Sequence, residues 1–134
     1  MPALELGGDR WSGVKSSSWV VEGPLLSDLE EAFGRLDGAT YTQLYLDAEI
    51  DGHSWTLIVG GDGSKYVVTA QRDEEDFWYL QRPHAPEGKV LLTTGGQEGE
   101  FPADQVVSKE AALAAARAFL ATGRLDPAQV WVSI

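Results

Sequence analysis

The sequence predicts an α+β fold, an antiparallel β-sheet meander with two helices packed on one face. Short segments of alternating polar and apolar residues, separated by glycine turns, fill the middle of the chain. One helical segment precedes this middle part and another follows it, and most gaps between strands are too short for parallel crossovers. A length of 134 residues predicts a single domain over 1–134.

The N-terminal part predicts an arm that leads into a first strand. Residues 1–13 are rich in glycine and mixed in charge, which is typical of a loose N-terminal arm, and Trp11 can hold its end against the body. Residues 15–22 are rich in serine and β-forming side chains and stop at a Gly-Pro pair, so they predict a strand.

A first helix is predicted after this strand. Ser27 and Glu30 have the spacing of a capping box, in which each side chain accepts from a free amide of the first turn. The helix is expected to end at Gly38. Its apolar stripe consists of Leu29, Phe33 and Leu36.

The meander begins at residues 42–51, where apolar side chains alternate strictly with acidic and polar ones. The Asp-Gly pair that follows favours a two-residue turn, so residues 53–60 are expected to return as the second arm of a hairpin. Glycines within 60–63 predict another turn, and residues 65–71 predict the next strand.

The second half of the meander contains an acidic run. Residues 73–76 are all acidic and predict an exposed loop or strand edge. Residues 77–82 and 89–94 predict two more strands, the latter the last of the meander. Residues 95–104 are polar and glycine-rich, which is typical of a connection.

The C-terminal part predicts a capped helix and a closing strand. Ser108 can cap the helix, and Gly123 suits the left-handed residue just past its end. Leu113, Ala116, Phe119 and Leu120 fall on one stripe of this helix, which is expected to pack on the sheet. A proline and a short apolar strand follow, and Trp131 of that strand is expected in the core together with Trp55.

Charge and composition restrict the possible partners. The chain has 10 Lys and Arg against 21 Asp and Glu, a formal net charge of -11 that repels phosphate backbones and anionic membranes. We therefore expect no nucleic-acid or membrane partner, but a basic protein. The absence of cysteine fits a reducing cytoplasm, and no secretory leader or apolar run long enough for a membrane span is present.

Signatures of catalysis are weak in this sequence. The glycines of 60–63 lack the lysine and the helix of a phosphate loop, and no serine lies in a nucleophile elbow. His53 and His84 have no metal-ligand spacing. We expect a binding protein without a catalytic residue, cofactor or metal. One alternative is a small metal-dependent hydrolase that uses both histidines and nearby carboxylates. The other is a regulatory module that binds a basic peptide along a sheet edge.

The candidate contact surface combines carboxylates with an aromatic ring. Neighbouring strand residues face opposite sides, so we expect one ring of the pair Trp78 and Tyr79 to be exposed beside the acidic run. An apolar anchor with an acidic rim is typical of protein-binding sites. The candidate partner-binding residues are Asp73, Glu74, Glu75, Asp76 and Tyr79, with Glu49 and Asp51 as a second group.

Two stretches carry a family resemblance. The ending, with Thr122-Gly123-Arg124, a proline and Val130-Trp131, resembles the closing pattern of a family of bacterial immunity proteins from polymorphic toxin systems. The middle section is similar to the same family in its strand at 57–60, its Gly-Asp-Gly turn and its strand at 66–68.

The resemblance implies a protein that is not an enzyme and that neutralises a toxin encoded beside it. Such toxins often carry a deaminase domain, including double-stranded-DNA cytosine deaminases. The resemblance also singles out Trp131, which we interpret as structural. Because toxins that act on nucleic acid need basic clefts for phosphates, an acidic inhibitor can occupy the same cleft.

Overall fold

The computed structural model describes residues 4–134 and contains a seven-stranded sheet, a two-stranded sheet and two α-helices. The strands are β1 (Glu5–Ser12), β2 (Lys15–Glu22), β3 (Gln43–Ile50), β4 (His53–Gly61), β5 (Tyr66–Arg72), β6 (Asp76–Leu80), β7 (Lys89–Thr94), β8 (Gln97–Pro102) and β9 (Trp131–Ser133). The helices are α1 (Leu26–Arg35) and α2 (Lys109–Thr122), and a 3-10 turn spans Ala103–Gln105.

The large sheet has the strand order β2-β1-β3-β4-β5-β6-β9, and each of these neighbouring pairs is antiparallel. Strands β3 to β6 form a meander of hairpins, and β9 returns from α2 to pair with β6. The predicted α+β class is confirmed, with both helices on one face. Among residues 4–134, no helix is long and apolar enough to cross a membrane.

Strict alternation along the strands fixes the register of the meander. Leu46 of β3 lies opposite Leu57 of β4, and Leu57 lies opposite Ala70 of β5. All three side chains are buried beneath the helices. A slip of one residue would turn this apolar row towards solvent, so burial specifies the pairing.

The helices cover one face of the sheet through small and aromatic side chains. Phe33 of α1 stacks on Tyr66 of β5 with ring centroids 4.9 Å apart. In α2, Ala112 and Ala116 are fully buried, and these short side chains let the helix lie close to the strands. Phe119 completes the contact as a fully buried ring.

The cap of α2 agrees with the prediction, whereas the start of α1 does not. Ser108 Oγ accepts from the Ala111 amide at 3.1 Å, and Gly123 is left-handed with φ of 71°. Helix α1 begins before Ser27, and its first turn is closed by Asp28, whose carboxylate accepts from the Leu25 amide at 2.8 Å. The predicted Ser27 and Glu30 box is wrong. Asp28 occupies the third position of the helix and provides the charged acceptor there, while Glu30 pairs with Arg117 of α2.

The predicted loose arm is wrong for the described part of 1–13. Residues 5–12 form β1, which lies inside the sheet between β2 and β3, while residues 1–3 lie outside the described part. Glycine normally weakens a strand, but Gly7 and Gly8 leave room here for the rings of Tyr45 and Trp19. Trp11 does hold the end of this segment against the body, since its amide donates to the Thr40 carbonyl at 2.7 Å and its indole lies against Gly96.

The position predicted for residues 89–104 also needs correction. β7 is not the last strand of the meander, because it pairs with β8 in a separate hairpin, and 95–104 is not merely a connection. This hairpin packs on the side of the sheet away from the helices, with Leu92 buried against Val67. Gly60 leaves the space for Thr94. The apolar side of β7 therefore covers one end of the sheet instead of extending it.

Candidate functional site

The sheet face away from the helices is the candidate site, and we call it the outer face. Its side chains come from alternate positions of all seven strands, as the cross-strand register shows. The β7–β8 hairpin covers one end of this face. In the strands as described, no outer-face position is a lysine or an arginine. Its uncovered end carries Glu5, Glu22, Asp47, Glu49, Ser54 and Thr56.

Two adjoining depressions open on this uncovered end. The first has a volume of about 490 Å³, and its walls include all four of these glutamate and aspartate side chains. The second has a volume of about 330 Å³ and is bordered by Gln71, Asp73 and Glu74. Both share Ser54 and Thr56. The outer face thus offers a concave surface lined by carboxylates.

Hydroxyl groups hold two of the carboxylates in place. Tyr45 Oη donates to Glu5 Oε2 at 3.2 Å, and Thr56 Oγ1 donates to Asp47 Oδ1 at 2.6 Å. Burial raises the pKa of the Tyr45 phenol, and the neighbouring charge of Glu5 raises it further. Tyr45 therefore stays a neutral donor, and both carboxylates are fixed acceptors on the surface.

The two predicted groups of contact residues lie at the same end of the sheet. His53 Nδ1, next to the β3–β4 turn, lies 2.6 Å from Asp73 Oδ2 in the β5–β6 turn. The Ser54 amide donates to the other oxygen of Asp73 at 2.8 Å. These bonds from His53 and Ser54 lower the pKa of the Asp73 carboxyl. The acidic turns are thus tied together, which the sequence pattern alone did not show.

Besides Asp73, three more of the predicted contact residues are engaged within the chain. Asp76 accepts from Arg72 at 2.8 Å and lies on the helix side of β6. Asp51, at the tip of the β3–β4 turn, is exposed and lies 3.2 Å from Arg124. Tyr79 is half-buried, and its hydroxyl donates to Asp104 at 3.3 Å.

The exposed aromatic ring of β6 is Phe77, with 39% of its surface accessible, whereas Trp78 and Tyr79 are both half-buried. Trp78 stacks on Trp55 at 5.2 Å, and both indoles face the helix side. The signal for Phe77 was available in the sequence, because a buried Leu80 places Phe77 on the opposite face under strict alternation. Glu5 was missed because its segment was interpreted as an arm.

His53 and His84 do not lie together in the structure. His53 contacts Asp73, while His84 is exposed in the loop after β6 and has a φ of 56°. Within residues 4–134, no group of three or more His, Cys, Asp or Glu side chains is placed to hold a metal ion.

The tryptophans expected in the core pack against it from the side. Trp55 and Trp131 are half-buried and contact the main apolar cluster. The Trp131 Nε1 donates to the Asp126 carbonyl at 3.0 Å, so the ring ties the loop after α2 to the closing strand. This contact gives Trp131 a structural place.

The fold and the site define a small acidic α+β protein with a concave surface of hydrogen-bond acceptors. The chain belongs to the family described as Immunity protein Imm1, which matches residues 20–133. This family gives the chain a toxin-neutralising immunity function and a toxin as its partner. No curated protein matches the chain. The matched range begins within β2, so β1 and its Glu5 precede it.

Proposed function

We propose that this immunity protein neutralises a toxin of a polymorphic toxin system whose catalytic domain is a nucleic-acid deaminase. The protein binds the toxin, covers its active-site cleft and performs no reaction itself. The resemblance of the ending and of the middle section to deaminase-associated immunity proteins supports this target class. The net charge of -11 supports it as well, because an enzyme that binds phosphates presents positive charge around its cleft.

The observation that carries the proposal is the meeting of the acidic turns at one end of the sheet. The pair formed by His53 and Asp73 holds the β3–β4 turn beside the β5–β6 turn. Complementary fields of this kind speed association and select against wrong partners. The proposed contacts are Asp73, Glu74, Glu75, Asp76, Tyr79, Glu49 and Asp51.

A charge-reversal experiment on the β5–β6 turn tests this function. Glu74 and Glu75 are exposed, and we would change both to lysine in the full chain. The matched control changes Glu98 and Glu100 of β8 to lysine. Both are also exposed, and the two substitutions shift the net charge by the same amount. Association with the toxin encoded beside the gene should slow by about tenfold at low salt in the first variant, since steering depends on local charge.

The target class is tested in the same assay by following deamination of cytosine in a duplex oligonucleotide. The wild-type protein should stop the reaction at a one-to-one ratio with the toxin. A toxin of different chemistry would contradict the deaminase assignment. Unchanged inhibition and association in the Glu74 and Glu75 variant would show that this turn is not the contact surface.

A further inference from the structure

The cross-strand register of the outer face places three carboxylates directly side by side. Glu5 of β1 lies opposite Glu22 of β2 on one side and opposite Asp47 of β3 on the other. We call these three residues the carboxylate row. Like charges at directly opposed positions destabilise a sheet, and small natural domains have little stability to spare.

The row continues across the sheet through two uncharged polar residues to an aromatic ring. Asp47 lies opposite Thr56, Thr56 lies opposite Gln71, and Gln71 lies opposite Phe77. Ile134, 78% exposed, donates its amide to the Phe77 carbonyl at 2.9 Å. One cross-strand line therefore runs from three acidic residues to an exposed aromatic ring.

The cations of the chain lie elsewhere, although several belong to the same strands. Arg10, Lys15 and Arg72 occupy helix-side positions in β1, β2 and β5. In the strands that the structure describes, the outer face therefore carries carboxylates but no lysine or arginine that could balance their negative charge. Opposed like charges that lower stability, with no cation beside them to offset the repulsion, indicate a functional surface.

We propose that the toxin seats a cationic segment, rich in lysine or arginine, across the carboxylate row, with an apolar side chain against Phe77. This inference rests on the proposed function only for the positive charge of the toxin. The segment supplies the countercharges that the row lacks, and Phe77 with Ile134 supplies the apolar anchor of the interface. The Tyr45 and Thr56 hydroxyls hold Glu5 and Asp47 ready for such a segment.

Charge also decides against the other occupants of this face. A second copy of the chain would bring another net charge of -11 against the same carboxylates. A phosphate backbone would be repelled in the same way. A cationic protein segment is the partner whose charge complements the row.

The first test uses Glu22→Lys in β2, with Glu31→Lys in α1 as its control. Both side chains are exposed and both changes shift the net charge equally, but Glu31 lies on the helix side. Glu22→Lys removes a like-charge pair, so the melting temperature of the free protein should rise by about 1–4 °C. Its association with the toxin should slow about tenfold at low salt. Glu31→Lys should not raise the melting temperature, because it breaks the pair with Arg35, and its association rate should stay within about twofold of wild type.

The second test uses Phe77→Ala, with Leu91→Ala as its control. Leu91 is 55% exposed on β7, outside the line that leads to Phe77. Dissociation of the toxin complex should accelerate about tenfold or more in Phe77→Ala and less than about threefold in Leu91→Ala.

The outcomes separate this inference from the proposed function. Equal association rates for Glu22→Lys and Glu31→Lys, or equal dissociation rates for Phe77→Ala and Leu91→Ala, would overturn the docking surface, even with a deaminase fully inhibited. A toxin that is not a deaminase but distinguishes the variants as expected would leave the docking surface supported and the target class wrong. A wild-type dimer that dissociates in Glu22→Lys would assign the row to a second copy and overturn the inference.

Discussion

Asp9 connects three parts of the outer face through one carboxylate. It accepts from the Thr42 and Gln43 amides at 2.8 and 3.0 Å and also from the Thr42 hydroxyl and the Trp11 indole. Thr42 is buried and accepts in turn from the Gly96 amide at 2.9 Å, in the turn of the β7–β8 hairpin. The carboxylate thus joins β1, β3 and the hairpin.

Replacing Asp9 with alanine should lower the free energy of unfolding by about 3 kcal/mol, because the Thr42 and Gln43 amides lose a charged acceptor. Urea denaturation of purified protein measures the change. Glu98→Ala, at an exposed position of β8, should change the unfolding free energy by less than about 0.5 kcal/mol. A similar loss in both variants would mean that the Asp9 network contributes nothing specific.

The pair of His53 and Asp73 makes one contribution to stability depend on pH. The His53 side chain and the Ser54 amide both hold the Asp73 pKa below its ordinary value of 3.8. The contribution is therefore present above that value and is lost as the pH falls through the lowered pKa of the folded protein.

His53→Ala should raise the pKa of Asp73 towards its ordinary value, because the Ser54 amide then remains as the principal partner. Carbon-13 shifts of the Asp73 carboxyl, followed against pH, report the pKa directly. The Asp62 carboxyl is the internal control, because backbone amides and Lys65 together hold its pKa low despite its burial. Asp73 titration that is unchanged by the substitution would contradict a role for His53.

Strand β1 depends on glycine at a close approach. A Cβ atom at Gly8 would lie 2.6 Å from the Gln43 carbonyl and also against the Trp19 ring. Gly8→Ala should therefore destabilise the protein by about 1–3 kcal/mol. Gly34 of α1 has open space around it, and Gly34→Ala should stabilise the helix by about 0.5–1 kcal/mol. Thermal unfolding of the two variants should give opposite shifts, and a stabilising Gly8→Ala would refute the close packing.

The elements predicted correctly are those whose signals lie within a few neighbouring residues. The alternation in β3, the Asp-Gly turn after it and the caps of α2 are each encoded within a few residues. The place of β1 is not, because its glycines lower strand propensity and become favourable only when Tyr45 and Trp19 lie over them. The place of the β7–β8 hairpin was not predicted for a similar reason. Leu92 is buried against Val67, which is distant in the sequence.

The candidate site shows the same limit at the scale of the whole molecule. The run at 73–76 is contiguous in sequence and was predicted as an acidic surface. The carboxylate row was not predicted, because Glu5, Glu22 and Asp47 meet only through strand register. The net charge predicted the sign of the partner's charge. Only the topology shows that the acidic outer face is separate from the cations of the helix side.

Carboxyl footprinting of the toxin complex tests the central claim most directly. A carbodiimide label, read by mass spectrometry in free and bound protein, measures which side chains the toxin covers. We expect binding to protect Glu5, Glu22, Asp47 and Glu49 on the outer face, while Glu30 and Glu31 of α1 react as in the free chain. Protection of the α1 carboxylates, with the outer face still fully reactive, would contradict the claim that the toxin is captured on the open side of the sheet.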